Sequence, residues 1–414
     1  MQKLKVNAHN DPVTSEILLA LQLRAANEPL LPRLKSFECS AATEAFIPFI
    51  PLFLSPQTTN INIAFTEDSP PVAVASIISM LPTLCPNLQC VNMDRLGRDL
   101  AITSAVSEML LTCNKGSLQN FYVDSPLTDE AREVVYRLPN LFGLWVVIEG
   151  RTLLPPVALP NLTDIDVQYD DHLDWLQGFR EATLENLESV SFRSESIQIG
   201  DFLGAFESVA LTMSAQNTLS VFRFYTSRSW NPYYSSLLSF KQLKELIIEF
   251  ACDGGCSSKV NDNVITTLAQ AMPKLEILQL GSTPCQTPTG ATVYGLIALA
   301  SRCPHLSKLR IHFRGDSLVS AAMDAATTPL PIKKTDLLRE DCALVDLEVG
   351  DIPIPPRSNT RVVLMLLQIF PRILNVKYTN PGWKRVAESI SDFRRMGAFV
   401  QAGEVHPVTT LDGI

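Results

Sequence analysis

The chain has 414 residues, 46% hydrophobic and 19% charged. That is enough for a large core and long enough for two or three ordinary domains or one extended repeat array. Its net charge is −9 and no run of five basic residues occurs, which argues against nucleic acid as a partner, because non-specific nucleic-acid binding rests on clustered Lys and Arg. No stretch reaches the ~18 apolar residues of a membrane helix, the longest (Val362 to Phe370) ending at Pro371.

Taken in order, Met1 to Asn10 lacks an apolar signal core, and residues 1–33 are predicted to form an N-terminal helical cap, with Asp11 before Pro12 marking a helix start. From Leu34 one pattern recurs: apolar, two variable, apolar, one variable, apolar. Its clearest copies are Leu275-Glu276-Ile277-Leu278-Gln279-Leu280 and Leu306-Ser307-Lys308-Leu309-Arg310-Ile311. Others begin at Leu34, Leu88, Leu118, Leu141, Leu162, Leu187, Leu219, Leu243, Leu344 and Ile373, with a degenerate copy at Thr58 to Ile63. The thirteen copies lie 21 to 38 residues apart. Many follow a proline, as in Leu31-Pro32-Arg33-Leu34 and Cys303-Pro304-His305-Leu306, where proline stops a helix and sets the turn into a strand.

Between copies, Val74, Ile77, Ile78 and Leu81 share one helical face, as do Val293, Leu296, Ile297 and Ala300, and Val363, Leu366, Leu367 and Phe370. Thr128 before Asp129 and Glu130 marks another helix start. The 21-residue unit from Leu141 to Leu162 holds Pro155, Pro156 and Pro160 and predicts an irregular return segment. A strand plus a return segment cannot bury its apolar side alone, but stacked on its neighbours it makes a continuous core. The fold class predicted is therefore α/β, a leucine-rich-repeat solenoid (horseshoe) with an inner parallel β-sheet and outer helices. Its array spans 34–380 as about thirteen units, and 381–414 forms a C-terminal helix and tail. An ordinary doubly wound α/β domain would not repeat one six-residue strand motif so often. Residues 325–341 are the longest insertion, predicted as a surface loop, and 398–414 look frayed.

Nine scattered cysteines without framework spacing predict free buried thiols in an intracellular, reducing compartment, cytoplasmic or nuclear. The single sequon, Asn161-Leu162-Thr163, falls inside a predicted strand, which argues against glycosylation.

The segment Leu21 to Leu34, the Cys-Pro-x-Leu strand entries and Leu347-Glu348-Val349-Gly350-Asp351-Ile352-Pro353-Ile354 resemble the leucine-rich-repeat region of the F-box proteins of mushroom-forming fungi, a ribonuclease-inhibitor-like family. The resemblance covers nearly the whole chain. It implies a substrate receptor of an SCF-type ubiquitin ligase, in which the F-box binds the Skp1 adaptor and the repeats hold the protein to be ubiquitinated. An F-box, a helical module of ~40–50 residues, is not evident here. The expectation is thus the recognition half of such a receptor, with an unidentified target protein as partner and Skp1 as partner only where an F-box lies upstream. The alternative is a stand-alone leucine-rich-repeat binding protein with no ubiquitin role.

Chemistry-bearing motifs have simpler explanations. Gly315-Asp316-Ser317-Leu318 resembles the nucleophile block of GDSL esterases, but the Asp-x-x-His pair that would supply the base is absent. Asp316 and Ser317 suit helix capping. Cys252-Asp253-Gly254-Gly255-Cys256 could offer two zinc ligands, yet structural zinc wants four and no second pair follows. The expectation is no enzyme, cofactor or metal site. What remains is the concave sheet face. Neighbouring strand residues alternate sides, so the variable position before the last apolar residue points away from the core. This places Tyr122, Trp145, Asp166, Arg223, Ile247 and Arg310 on the face, with Asp164, Arg193 and Tyr225 beside them. Tyr, Trp and Arg are enriched at binding hot spots, and Tyr122 and Trp145, on adjacent strands, are expected to form one aromatic patch. These nine residues are the predicted partner-binding face, unless another segment of the chain covers them.

Overall fold

A computed structural model of the chain describes residues 3–7, 15–25, 28–149, 159–170, 172–176, 178, 184–197, 199–210, 217–227, 234–250, 260–281, 290–311, 342–349, 354, 358–378 and 380–401. The esterase-like segment 315–318 and the cysteine pair Cys252 and Cys256, both read as non-functional, the insertion 325–341 and the last residues of the tail lie outside these. The chain divides into two compact units, Met1–Ile197 with Gly204–Leu219, and Gln198–Leu203 with Ser220–Ile414.

The first unit carries eight strands: β1 (Lys3–Asn7), β2 (Ser36–Ala42), β3 (Asn60–Phe65), β4 (Cys90–Asp94), β5 (Asn120–Pro126), β6 (Gly143–Ile148), β7 (Asp164–Tyr169) and β8 (Ser189–Ser194). They lie side by side in sequence order, every pair parallel. Between them run α1 (Ser15–Ala25), a 3-10 helix (Ile47–Phe53), α2 (Pro71–Leu84), α3 (Leu100–Thr112) and α4 (Asp129–Val135). Helix α2 packs on α3 and α3 on α4. Helix α5 (Ile199–Ala210) follows β8. The second unit repeats the plan with β9 (Val221–Thr226), β10 (Glu245–Phe250), β11 (Ile277–Leu280), β12 (Lys308–Ile311), β13 (Asp346–Val349) and β14 (Asn375–Tyr378), again parallel and in order. Its return helices are α6 (Asp262–Ala271), α7 (Val293–Arg302), α8 (Asn359–Ile369) and α9 (Lys384–Gln401). The architecture is the α/β leucine-rich-repeat solenoid that the pattern predicts. Among the described residues no helix is long and apolar enough to cross a membrane.

All thirteen motif copies open a strand, from β2 to β14, and the residue at the first motif position is buried in every one, at 2% exposure or less. The entry turn explains the Pro-x-Leu signature. The amides of Leu34, Leu162, Leu306 and Ile373 donate to the carbonyls three residues back, at 2.9–3.1 Å, and the residue after each accepting carbonyl is Pro32, Pro160, Pro304 or Pro371. Proline pre-sets the dihedral of that corner. Even the degenerate copy fits, because the Thr58 hydroxyl, fully buried, donates to the Leu34 carbonyl at 3.0 Å.

Side chains also stitch repeat to repeat through the turns. Asn140, Asn161 and Asn186 donate their amides to the carbonyls of Gly116, Pro139 and Pro160 in the preceding repeat, at 2.7–2.8 Å. Ser117 and Thr218 do the same to the carbonyls of Leu88 and Leu187, both at 2.8 Å. Asn161 of the sequon therefore lies in a turn rather than in a strand, with its amide committed to this ladder. After β14 the same two carbonyl positions are met by one side chain: Arg394 on α9 donates from Nε to Ile373 at 3.0 Å and from Nη2 to Pro371.

The N-terminal segment differs from the expected helical cap. It contains α1, but Lys3–Asn7 pairs with β2, Leu4 beside Phe37 and Val6 beside Cys39. Met1-Gln2-Lys3-Leu4-Lys5-Val6 has the motif's spacing, so the signal was present. Helix starts follow their caps: the side chains of Asp99, Thr128, Asn261 and Thr292 accept backbone amides at the heads of α3, α4, α6 and α7, and Asp262 on α6 additionally holds the amides of Thr292 and Gly295 at 2.7 and 3.0 Å. Of the nine cysteines, Cys39, Cys85, Cys90, Cys113, Cys303 and Cys342 are described, all free. Burial pushes the thiols of Cys39, Cys85 and Cys303 up to about 12 and that of Cys113 to about 11, so these sulfurs pack as small apolar groups.

Leu278, inward on β11 and fully buried, tests the phase of the repeat. Leu278→Ala should lower the unfolding free energy by ~2–5 kcal/mol in a denaturant titration; an unchanged midpoint would place the side chain outside the core.

Candidate functional site

The strand face turned away from the core carries all nine predicted residues, and each unit arranges its own share. In the first unit, register sets Tyr122 beside Trp145, and Trp145 beside Asp166. The two rings do not stack on one another. Tyr122 lies across Gly143, and its hydroxyl donates to Asp164 Oδ2 at 3.3 Å, one strand beyond its register neighbour. A Cβ on Gly143 would overlap that hydroxyl and sit 2.7 Å from Tyr122 Cζ. Glycine is required here by close approach rather than by backbone dihedral. Burial, reinforced by Asp164, pushes the Tyr122 phenol up, so it stays a donor.

Trp145 meets a different partner. Arg193 lies over its indole with Cζ 5.6 Å from the ring centroid, within cation–π range. The same guanidinium forks Asp166, Nε to both carboxylate oxygens at 3.3 and 3.2 Å and Nη2 to Oδ2 at 3.0 Å. Burial pushes the Asp166 carboxyl up while Arg193 pulls it back down. The Trp145 Nε1 atom is shielded and has no hydrogen-bond partner among the described residues. Leaving an indole N–H so costs roughly 1–3 kcal/mol.

At the C-terminal end of β4 the chain turns through Arg95 (φ 63°) and Gly97 (φ 74°). Asp124 on β5 fixes this turn by accepting the amides of Arg95 and Leu96 at 2.6 and 2.9 Å. Burial, with Asp94 adding to it, pushes the Asp124 carboxyl up against the pull of those amides. Arg98 then reaches Glu149 and Asp170, beyond the ends of β6 and β7, at 3.4 and 3.0 Å. Sequence reasoning missed Gly143, Asp94 and Asp124. The period-two pattern places Asp94 and Asp124 on the face, but nothing in it marks a glycine that makes room for a ring on the neighbouring strand.

In the second unit, Arg223 pairs with Glu245 at 2.6 Å, and Arg310 bridges Glu249 on β10 and Glu348 on β13 at 2.9 and 3.2 Å. Tyr225 is half-buried on β9 beside Glu249. Ile247, expected as an exposed apolar anchor, is only 9% exposed. It sits in register between Arg223 and Gln279, the latter also buried. It is a covered spacer between an arginine and a buried glutamine, which corrects the expectation that it offers contact area. Among the described residues no group of three or more His, Cys, Asp or Glu side chains could hold a metal ion.

No protein-family model matches the sequence, and no curated protein matches it. Among solved structures the chain is similar to one titled "Crystal structure of Rad7 and Elc1 complex in yeast", at 15% identity and a TM-score of 0.38, over 63% of this chain and 74% of that one.

The Tyr122–Gly143 contact is testable as a cycle. Gly143→Ala should cost ~1–3 kcal/mol of unfolding free energy, as overpacking does. In a Tyr122→Ala background it should cost at least ~1 kcal/mol less, because the clash partner is gone. Additive losses in thermal or denaturant melts would show that the ring does not lie on the glycine.

Proposed function

We propose that the chain is a non-catalytic protein-interaction scaffold that captures a target protein on the open face of its parallel sheet, and that it serves as the recognition part of an SCF-type ubiquitin-ligase receptor. The observation that carries the scaffold reading is the Trp145–Arg193–Asp166 stack. A large aromatic ring is held half-buried on a sheet face, fixed by a guanidinium that is itself forked by a carboxylate. Binding to a ring already fixed in place avoids much of the ordering cost that a mobile side chain would pay on association. Trp and Arg are also the residue types that dominate protein-binding energetics. The ubiquitin-ligase reading rests on the sequence resemblance of the repeats and strand entries alone. Skp1 would engage such a receptor through an F-box outside the repeats.

The test is affinity capture followed by measured affinity for whichever protein is captured. Trp145→Ala should leave the circular dichroism spectrum and melting transition nearly intact but weaken the purified partner's binding by about 2 kcal/mol or more, some thirtyfold in Kd. A partner bound as before would remove this face as the recognition surface. If the ligase reading holds, ubiquitination of that partner in cells falls with the same substitution; unaltered ubiquitination alongside weakened binding would leave a scaffold with no ubiquitin role.

A further inference from the structure

Strands β3 to β7 of the first unit present one chemistry on their open face. The side chains there include the carboxylates Asp94, Asp124, Asp164 and Asp166 and the amides Asn60, Asn62, Asn92 and Asn120. Register places Asn62 beside Asn92, Asn92 beside Tyr122, and Trp145 beside Asp166. Among the described residues the one cation that reaches onto this stretch from the neighbouring strand is Arg193, and it shows what the face accepts: a guanidinium on an indole, gripped by a carboxylate. Asp164 repeats half of that arrangement, a carboxylate beside an aromatic ring, but its partner is the neutral phenol of Tyr122. Asp94 and Asp124 stand together at the ends of β4 and β5, where Asp124 accepts the amides of Arg95 and Leu96. At the rim, Arg98 is already committed to Glu149 and Asp170, and Arg95, exposed at the head of the turn, is the other nearby cation.

We infer that this face docks an extended, basic segment of a protein partner, its Lys or Arg side chains seated against Asp94, Asp124 and Asp164 beside Tyr122 and Trp145. The inference rests on the scaffold reading above and names the chemistry of the partner. Among the described residues only Asp166 of the four carboxylates is ion-paired, so a cationic segment supplies the missing charge, and complementarity of this kind steers encounter and fixes register. Asparagine amides both donate and accept, which suits the alternating N–H and C=O groups of an extended backbone lying over β3 to β5.

The probe is a fluorescent nonapeptide alternating Arg or Lys with Ser, compared with an otherwise identical Glu peptide, by fluorescence anisotropy with the full chain at low and high salt. The basic peptide should bind, and its Kd should rise with salt. The pair Asp94→Asn with Asp164→Asn should weaken it about tenfold or more, leaving Asp124, which holds the turn, untouched. A charge-matched control, Glu130→Gln with Glu133→Gln on the exposed side of α4, should stay within about twofold, which separates the face from the chain's overall negative charge. Arg193→Ala, which vacates Asp166 and Trp145, should tighten the peptide. No binding of the basic peptide, equal binding of the acidic one, or equal loss in the α4 control would each overturn the inference. If Trp145→Ala abolishes partner capture while the Asp94/Asp164 pair leaves the peptide unaffected, the scaffold reading stands and this one falls; if Trp145→Ala changes nothing, the scaffold reading itself has failed.

Discussion

The inward residues of each repeat are buried, and most of what surrounds them follows from that. A single strand with its return segment has one oily side and nothing of its own to cover it. In-register parallel pairing places Leu246, Leu278, Leu309 and Leu347 side by side on successive strands, so each covers the next. Burying a leucine gains roughly 1.5–3 kcal/mol, and the gain recurs at three inward positions per repeat. Because side chains alternate with a period of two, a slip of one residue would turn an entire strand inside out. The repeated motif is thus chiefly a register device.

Register also decides what the open face can offer. Once the inward positions are fixed, the remaining ones fall into straight rows across the strands, and side chains from distant parts of the sequence become neighbours. Tyr122 and Asp164 are 42 residues apart and share a hydrogen bond; Arg310 and Glu249 are 61 apart and form an ion pair. The contacts are diagonal as often as direct: Arg193 pairs in register with Gln168 but reaches back to Asp166. Such braces hold the side chains of the open face in place.

The strands were legible because their signal is a spacing, and spacing survives wide variation in the residues between. Only β1 escaped, since its first motif position is Met1 itself. Helix faces were legible for the same reason, as at Val74, Ile77, Ile78 and Leu81, all buried on α2. On the candidate face, the pattern could say which residues leave the core but not what each one meets. Whether Trp145 touches Tyr122 or Arg193, and whether Ile247 is open or covered, depends on the reach of side chains one and two strands away. A linear pattern carries no term for that reach. Gly143 illustrates the gap: its role is defined by a ring rooted on the adjacent strand.

Arg394 completes the ladder at β14 by doing with one guanidinium what elsewhere takes a turn asparagine and a hydroxyl. The carbonyls of Pro371 and Ile373 are the same two that interior repeats hand on to their successors. This makes the architecture directional. A repeat duplicated between two interior strands would find its incoming and outgoing carbonyls both provided for, and α9 would simply ride along. A repeat added after β14 would first have to displace α9 and Arg394 from carbonyls they already satisfy. A further repeat is thus accommodated more readily between two interior strands than after β14.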